Sequence, residues 1–265
     1  MRPIGVFDSG IGGLTVVEAL RRALPGESIL YLGDTARLPY GTKSALTVTR
    51  YTQRNVDFLL ERGVKAIVVA CNTASALALG ELRSSVPTWG VIEPGAEAAA
   101  AVSDGRVGIV ATESTVESGA YAAALARYRP DLTIVSEACP LFVPLVEEGW
   151  HEDPLARLVG ERYLAPLIDS RIDTLILGCT HYPLLSTMIA DLMGPEVRLV
   201  DSAQAVAEHV AREMTALALK ASSGSVEHHY CVTDSAASFR RLAERILGDG
   251  TVSLELVELQ SGDVR

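Results

Sequence analysis

The sequence predicts an α/β protein: two pseudo-symmetric three-layer α/β domains with mostly parallel sheets and an active site at the domain interface. Three observations predict it. A phrase is written twice, VKAIVVACNTAS at residues 64–75 and IDTLILGCTHYP at 172–183, aligning without a gap so that Cys71 and Cys179 stand 108 residues apart. Each copy opens on an apolar run too short for a helix, branched and uninterrupted, as in a parallel strand covered on both faces. VGIVAT at 107–112 then echoes IGVFDS at 4–9, 103 residues earlier. Two echoes in the same order at similar offsets indicate an internal duplication, with a period far too long for a solenoid.

Taken in order, residues 2–7 form the first strand, which runs into Asp8-Ser9-Gly10-Ile11-Gly12-Gly13 and an amphipathic helix over 14–24 ended by Pro25-Gly26. That glycine turn fails the dinucleotide fingerprint, because Thr15 stands where the third glycine belongs. Its glycines instead let a ligand approach the backbone beside Asp8 and Ser9. Residues 28–32 are a strand ending in GDTARLPYG at 33–41, a substrate-side loop rather than a bare connector. A helix over 44–62 precedes the first cysteine phrase, and a second helix follows it to about residue 83. A short strand at 88–91 and an alanine-rich run to residue 102 complete the first half.

After the restart at residue 106 come a strand at 132–135, an irregular apolar segment at 139–150 and a helix over 154–169, then the second phrase. A strand at 197–200 reaches the helix cap Asp201-Ser202 and a helix to about residue 220. A surface loop at 222–225, a strand at 227–232, a helix at 235–247 and a strand at 252–259 close the chain. With no low-complexity linker, the crossings between halves fall near 94–105 and 201–206.

At 265 residues, 48% hydrophobic and 21% charged, the chain can bury one large core or two smaller ones. A net charge of −10 argues against a nucleic-acid partner and requires that an anionic substrate be held by neutral N–H and O–H donors. No secretory leader and no apolar stretch long enough for a bilayer is visible. The four cysteines, Cys71, Cys139, Cys179 and Cys231, include no C-x-x-C pair. The expectation is a cytoplasmic protein with reduced thiols and no membrane contact.

Each phrase cysteine should sit past the carboxyl end of a parallel strand, where open α/β sheets place their ligands, with the next helix aiming its N-terminus at the sulfur. One cysteine per half suits a substrate whose carbon loses a proton on one face and regains one on the other. A free thiol titrates near 8.5, so modest tuning brings it into the working range of acid–base catalysis. His181, two residues past Cys179, can relay a proton. The first copy has Thr73 there, so Asp8, at the end of the first strand, is the candidate helper. Glu147 is a candidate partner for His181. Against this, a cysteine after an apolar strand is commonly a core thiol, and that reading is kept for Cys139 and Cys231.

FDSGIGGLTV, GDTARLPYG, ACNTAS, IEPG and GCTHYPLL occur in this order along nearly the whole chain. By these motifs the sequence resembles the glutamate racemases of the cofactor-independent aspartate/glutamate racemase superfamily. The resemblance implies interconversion of L- and D-glutamate without pyridoxal phosphate or metal, D-glutamate supply for peptidoglycan, and a homodimer. It implies that Cys71 takes the α-proton from D-glutamate and Cys179 from L-glutamate, assisted by Asp8 and His181. Asp8, Ser9, Pro39, Tyr40, Gly41, Asn72, Thr73, Thr180 and His181 would contact the substrate, with Thr112 and Thr115 as further carboxylate contacts. The first domain would take in both chain ends, 1–96 with 206–265, and the second 97–205. Leu38 departs from the Val or Met expected there. The rival readings are racemisation of aspartate or another acidic amino acid, a non-catalytic binding protein on this fold, and a thiol redox protein. The redox reading requires the two cysteine Cα atoms within about 7 Å.

Overall fold

The computed structural model describes residues 2–221, 225–234, 236–248 and 253–259. The first half runs β1 (Ile4–Asp8), α1 (Leu14–Ala23), β2 (Ile29–Gly33), α2 (Ala45–Glu61), β3 (Ala66–Val69), α3 (Asn72–Leu77), β4 (Thr88–Gly90) and α4 (Ile92–Val102). The second runs β5 (Arg106–Ala111), α5 (Glu113–Glu117), α6 (Ala120–Tyr128), β6 (Thr133–Ala138), α7 (Phe142–Glu147), α8 (Pro154–Asp169), β7 (Thr174–Gly178), α9 (Ser186–Met193) and β8 (Arg198–Asp201). The chain then passes through α10 (Ser202–Ala216), β9 (His228–Val232), α11 (Ala236–Leu247) and β10 (Leu254–Leu256).

The strands form two all-parallel sheets, ordered β10-β9-β2-β1-β3-β4 and β6-β5-β7-β8. The order β2-β1-β3-β4 in the first reproduces β6-β5-β7-β8 in the second, so the internal echo is a topological repeat. The first sheet is extended by two strands from the carboxyl-terminal part of the chain. As the apolar runs require, both sheet faces are covered. Ile4 and Val6 of β1 and Val68 of β3 enter one core with α1, while Phe7, Ile67 and Val69 enter another with α2. In the second sheet Leu175 and Leu177 join the first core, and Val107, Ile109 and Ile176 face α4 and α6. One continuous core thus runs from β1 through α1 and α10 to β7.

Segment 139–150, expected to be irregular, contains helix α7. Pro144 is compatible with it because it lies in the first turn, where backbone N–H groups have no intrahelical partner. The helix expected to reach residue 83 stops at Leu77, then a single 3-10 turn spans Leu79–Glu81. Two short helices, α5 and α6, lie in stretches to which sequence reasoning assigned nothing. The helix expected directly after Cys179 is delayed: a 3-10 turn spans Tyr182–Leu185 and α9 begins only at Ser186, so Cys179, unlike Cys71, does not cap a helix. Residues 222–224 of the expected loop, residue 235 and residue 252 fall outside the described residues. No helix among the described residues is long and apolar enough to cross a membrane.

Candidate active site

Cys71 directly follows β3 and Cys179 directly follows β7, the equivalent strands of the two sheets. The carboxyl ends of these strands face a common cavity of about 320 Å³, lined by both sulfur-bearing residues. That volume suits a small ligand. Neither cysteine is in a disulfide, and each is about 95% shielded from solvent. Ser9, Asn72, Thr73, Thr112 and Thr180 bring neutral hydrogen-bonding groups to the wall, while among the described residues no Lys or Arg lines it. Glu113 and Glu147 also line it.

Local structure sets each group. Cys71 caps α3, its Sγ accepting the Ala74 N–H at 3.5 Å and donating to Ser9 Oγ at 3.8 Å. Burial and then the Asp8 carboxylate push the Cys71 thiol up to about 12. Cys71 therefore rests as a thiol at neutral pH. Asp8 ends β1, hydrogen-bonded in the sheet to β2 and β3. Its Oδ2 accepts the Gly10 and Gly13 N–H groups at 3.0 and 3.1 Å, and its Oδ1 accepts the Thr180 hydroxyl at 3.4 Å. Burial raises its pKa, against the lowering effects of His181 and these N–H groups.

On the other side, His181 Nδ1 lies 3.8 Å from Cys179 Sγ and its Nε2 lies 3.1 Å from Glu147 Oε1. Burial opposes the imidazole's charge, but hydrogen bonding to Cys179 and Glu147 outweighs it and raises the pKa to about 10. Both hydrogen bonds thus favour the protonated ring. A folded pKa above the ordinary 6.5 means that this proton stabilises the fold fully below pH 6.5, and that the stabilisation is lost as pH rises towards 10. The melting temperature is expected to fall between pH 7 and 10, and His181→Gln to flatten that slope. Calorimetric scans across the interval check this, and an unchanged slope in the variant would refute it.

Most of the residues singled out from sequence meet here. Ser9, Pro39, Tyr40, Gly41, Cys71, Asn72, Thr73, Thr112, Glu147, Cys179, Thr180 and His181 all line the cavity. Asp8 and Thr115 do not: both stand behind the wall. Asp8 is joined to the wall by its hydrogen bonds from Thr180 and the glycine turn. Thr115 closes a triangle of hydroxyls with Thr73 and Thr112, with sides of 2.9 to 3.2 Å. Tyr40 also differs from expectation. Its hydroxyl donates to Asp34 and accepts from Asn55 Nδ2, so only its ring and backbone face the cavity.

Sequence reasoning missed Pro140, Val143 and Pro144, which form an apolar wall on and before α7. Their position after β6, at the same sheet end as the cysteines, was the available signal. Among the described residues no group of three or more His, Cys, Asp or Glu is arranged to hold a metal ion.

Comparison with known proteins places this geometry. Residues 4–210 match the family described as Asp/Glu/Hydantoin racemase. A glutamate racemase of Geobacter metallireducens is 50% identical over 264 residues, covering 98% of each chain. The crystal structure of a glutamate racemase isoform from Bacillus anthracis superposes with a TM-score of 0.94 at 40% identity, covering 97% of this chain and 98% of that one. The Francisella tularensis glutamate racemase in complex with D-glutamate gives 0.92 at 39% identity, covering 98% of both.

Proposed function

Since the chain belongs to the Asp/Glu/Hydantoin racemase family, we propose that it interconverts L- and D-glutamate by a two-base proton transfer between Cys179 and Cys71. The observation that carries this reading is the placement of two reduced cysteines at equivalent strand ends on one small cavity. A planar carbanion has two faces, and one side chain cannot serve both. In the L-to-D direction Cys179, as thiolate, takes the α-proton and becomes a thiol. The Cys71 thiol delivers its proton to the opposite face and becomes a thiolate. Return to the starting state moves one proton from Cys179 to Cys71 by way of solvent, with His181 and Asp8 as the neighbouring groups that hold charge.

Hydroxyl, amide and backbone donors would hold the two carboxylates, as a chain of net charge −10 requires. Thr73 and Thr112 are the candidate seat of the side-chain carboxylate, their hydroxyls tied from behind the wall by Thr115, with Thr112 and Thr115 contributed by the second half. Asp8 and His181 are proposed as the assisting groups, Glu147 as the anchor of His181. The same reading makes the protein a source of D-glutamate for peptidoglycan, working in the cytoplasm as a homodimer. It divides the chain into lobes 1–96 with 206–265 and 97–205, a division supported by which strands share each sheet.

The test is incubation with L-glutamate in heavy water without added cofactor. Deuterium at Cα of the D-isomer is the expected result, and its absence would remove the proposal. Aspartate is the competing substrate: its chain is one methylene shorter, so its side-chain carboxylate reaches less far from Cα. Optical rotation with L-aspartate in place of L-glutamate is expected to show a much slower change.

A further inference from the structure

Tyr121 lies on α6, in the second half, among alanines, and nothing in its local sequence marks it. In the fold it touches the neighbours of both cysteines. Its hydroxyl donates to Asn72 Oδ1 at 2.7 Å, and Asn72 is the residue after Cys71. A Cβ at Gly178, the residue before Cys179, would lie 3.0 Å from the Tyr121 ring. A Cβ at Gly95 on α4 would lie 3.2 Å from the ring and 3.3 Å from the hydroxyl. The ring is therefore held in a slot between two glycines, 98% shielded from solvent.

The slot explains a difference between the two cysteine phrases. The residue before Cys71 is Ala70, whereas the one before Cys179 is Gly178. A Cβ at Gly178 would meet the Val110 carbonyl at 2.9 Å and the Tyr121 ring at 3.0 Å, so backbone and ring together leave no room for a side chain there. The hydroxyl accounts for the other end. With Oδ1 of Asn72 engaged by Tyr121, Nδ2 is buried without a hydrogen-bond partner, in a residue that lines the cavity. A buried amide N–H₂ without an acceptor is costly, and it is the donor a carboxylate takes.

We propose that Tyr121 is a positioning residue for the two-thiol reaction. Its ring sets the separation between the end of β7 before Cys179 and the start of α3 after Cys71, and its hydroxyl orients the Asn72 amide so that the N–H₂ is offered to a substrate carboxylate. The proposal rests on the racemase reading above. Loss of the hydroxyl frees the amide to rotate and present its oxygen, which repels a carboxylate. The first effect is then on substrate affinity, in both directions of the reaction.

The experiment begins with the wild-type protein and glutamate in heavy water, whose failure to exchange would count against the racemase reading itself. Given exchange, Tyr121→Phe is expected to raise KM for both enantiomers about tenfold, corresponding to one good hydrogen bond, with a smaller fall in kcat. Asn72→Ala is expected to raise KM at least as far, and Tyr121→Phe/Asn72→Ala no further than Asn72→Ala alone. Gly95→Ala tests the ring independently of any lost hydroxyl. The three atoms nearest its Cβ outside its own helix all belong to Tyr121, and alanine favours that helix, so KM is expected to rise while the melting temperature holds. A merely structural Tyr121 would lower the melting temperature and leave KM unmoved. Wild-type KM in Tyr121→Phe, or independent losses that multiply in the double variant, would overturn the proposal.

Discussion

Cys71→Ser and Cys179→Ser are each expected to reduce racemisation by about 10³-fold, while glutamate still binds. Both side chains line the cavity at equivalent strand ends, and a hydroxyl in place of either sulfur fills the space without supplying a usable base. The two variants are not expected to be silent in the same way. With Cys179 intact, Cys71→Ser should still exchange the α-proton of L-glutamate with deuterium from solvent, returning it to the same face without forming D-glutamate. With Cys71 intact, Cys179→Ser should do the same to D-glutamate. Nuclear magnetic resonance of each enantiomer in heavy water reads both outcomes. A variant that exchanged neither isomer, or racemised at the wild-type rate, would break the assignment of one sulfur to one face. Redox or binding functions predict a different result, since neither requires deuterium at Cα.

Gly12→Ala is expected to cut activity by at least about 10²-fold and to cost about 1–3 kcal/mol of stability. A Cβ at this position would stand 2.4 Å from Thr180 Oγ1 and 2.5 Å from His181 Nδ1. Those atoms belong to the loop that carries Cys179, so the methyl group would push the first glycine turn away from the second cysteine phrase. The Thr15 hydroxyl, donating to the Thr180 carbonyl at 3.0 Å, would be displaced with it. Activity and melting temperature measured on the purified variant decide the matter. Wild-type values for both would mean that the loops separate without consequence. Gly26→Ala is the control, since its Cβ would meet nothing within 4 Å.

The most legible parts of the site were those that reuse one local pattern. Cys71 and Cys179 stand in copies of a strand–turn phrase, so their equivalence could be read before any fold was known. The pairing of β1 with β3 brings Asp8 beside the Cys71 strand, as the usual strand order of such sheets would have it. Depth and direction were harder to read. Asp8 was correctly placed along the chain but not behind the cavity wall, because that depends on the glycine turn folding back over its carboxylate. Tyr40 was recognised in its loop, yet its hydroxyl turns to Asp34 and to Asn55 of α2, partners the loop sequence does not reveal. Tyr121 left no local trace at all. Its role arises from Asn72, 49 residues away, and from two glycines on different elements.

The two sulfurs do not have equal neighbours: Ser9 and the Ala74 N–H attend one, the His181 ring and, through it, Glu147 the other. Mirror-image solutes have the same free energy in water, so the equilibrium constant between them is one, whatever the catalyst. The ratio of kcat to KM must therefore be identical in the two directions. Unequal surroundings can make one enantiomer turn over faster only by making it bind correspondingly less tightly at steady state. Any substitution that perturbs a single lobe is bound by the same identity.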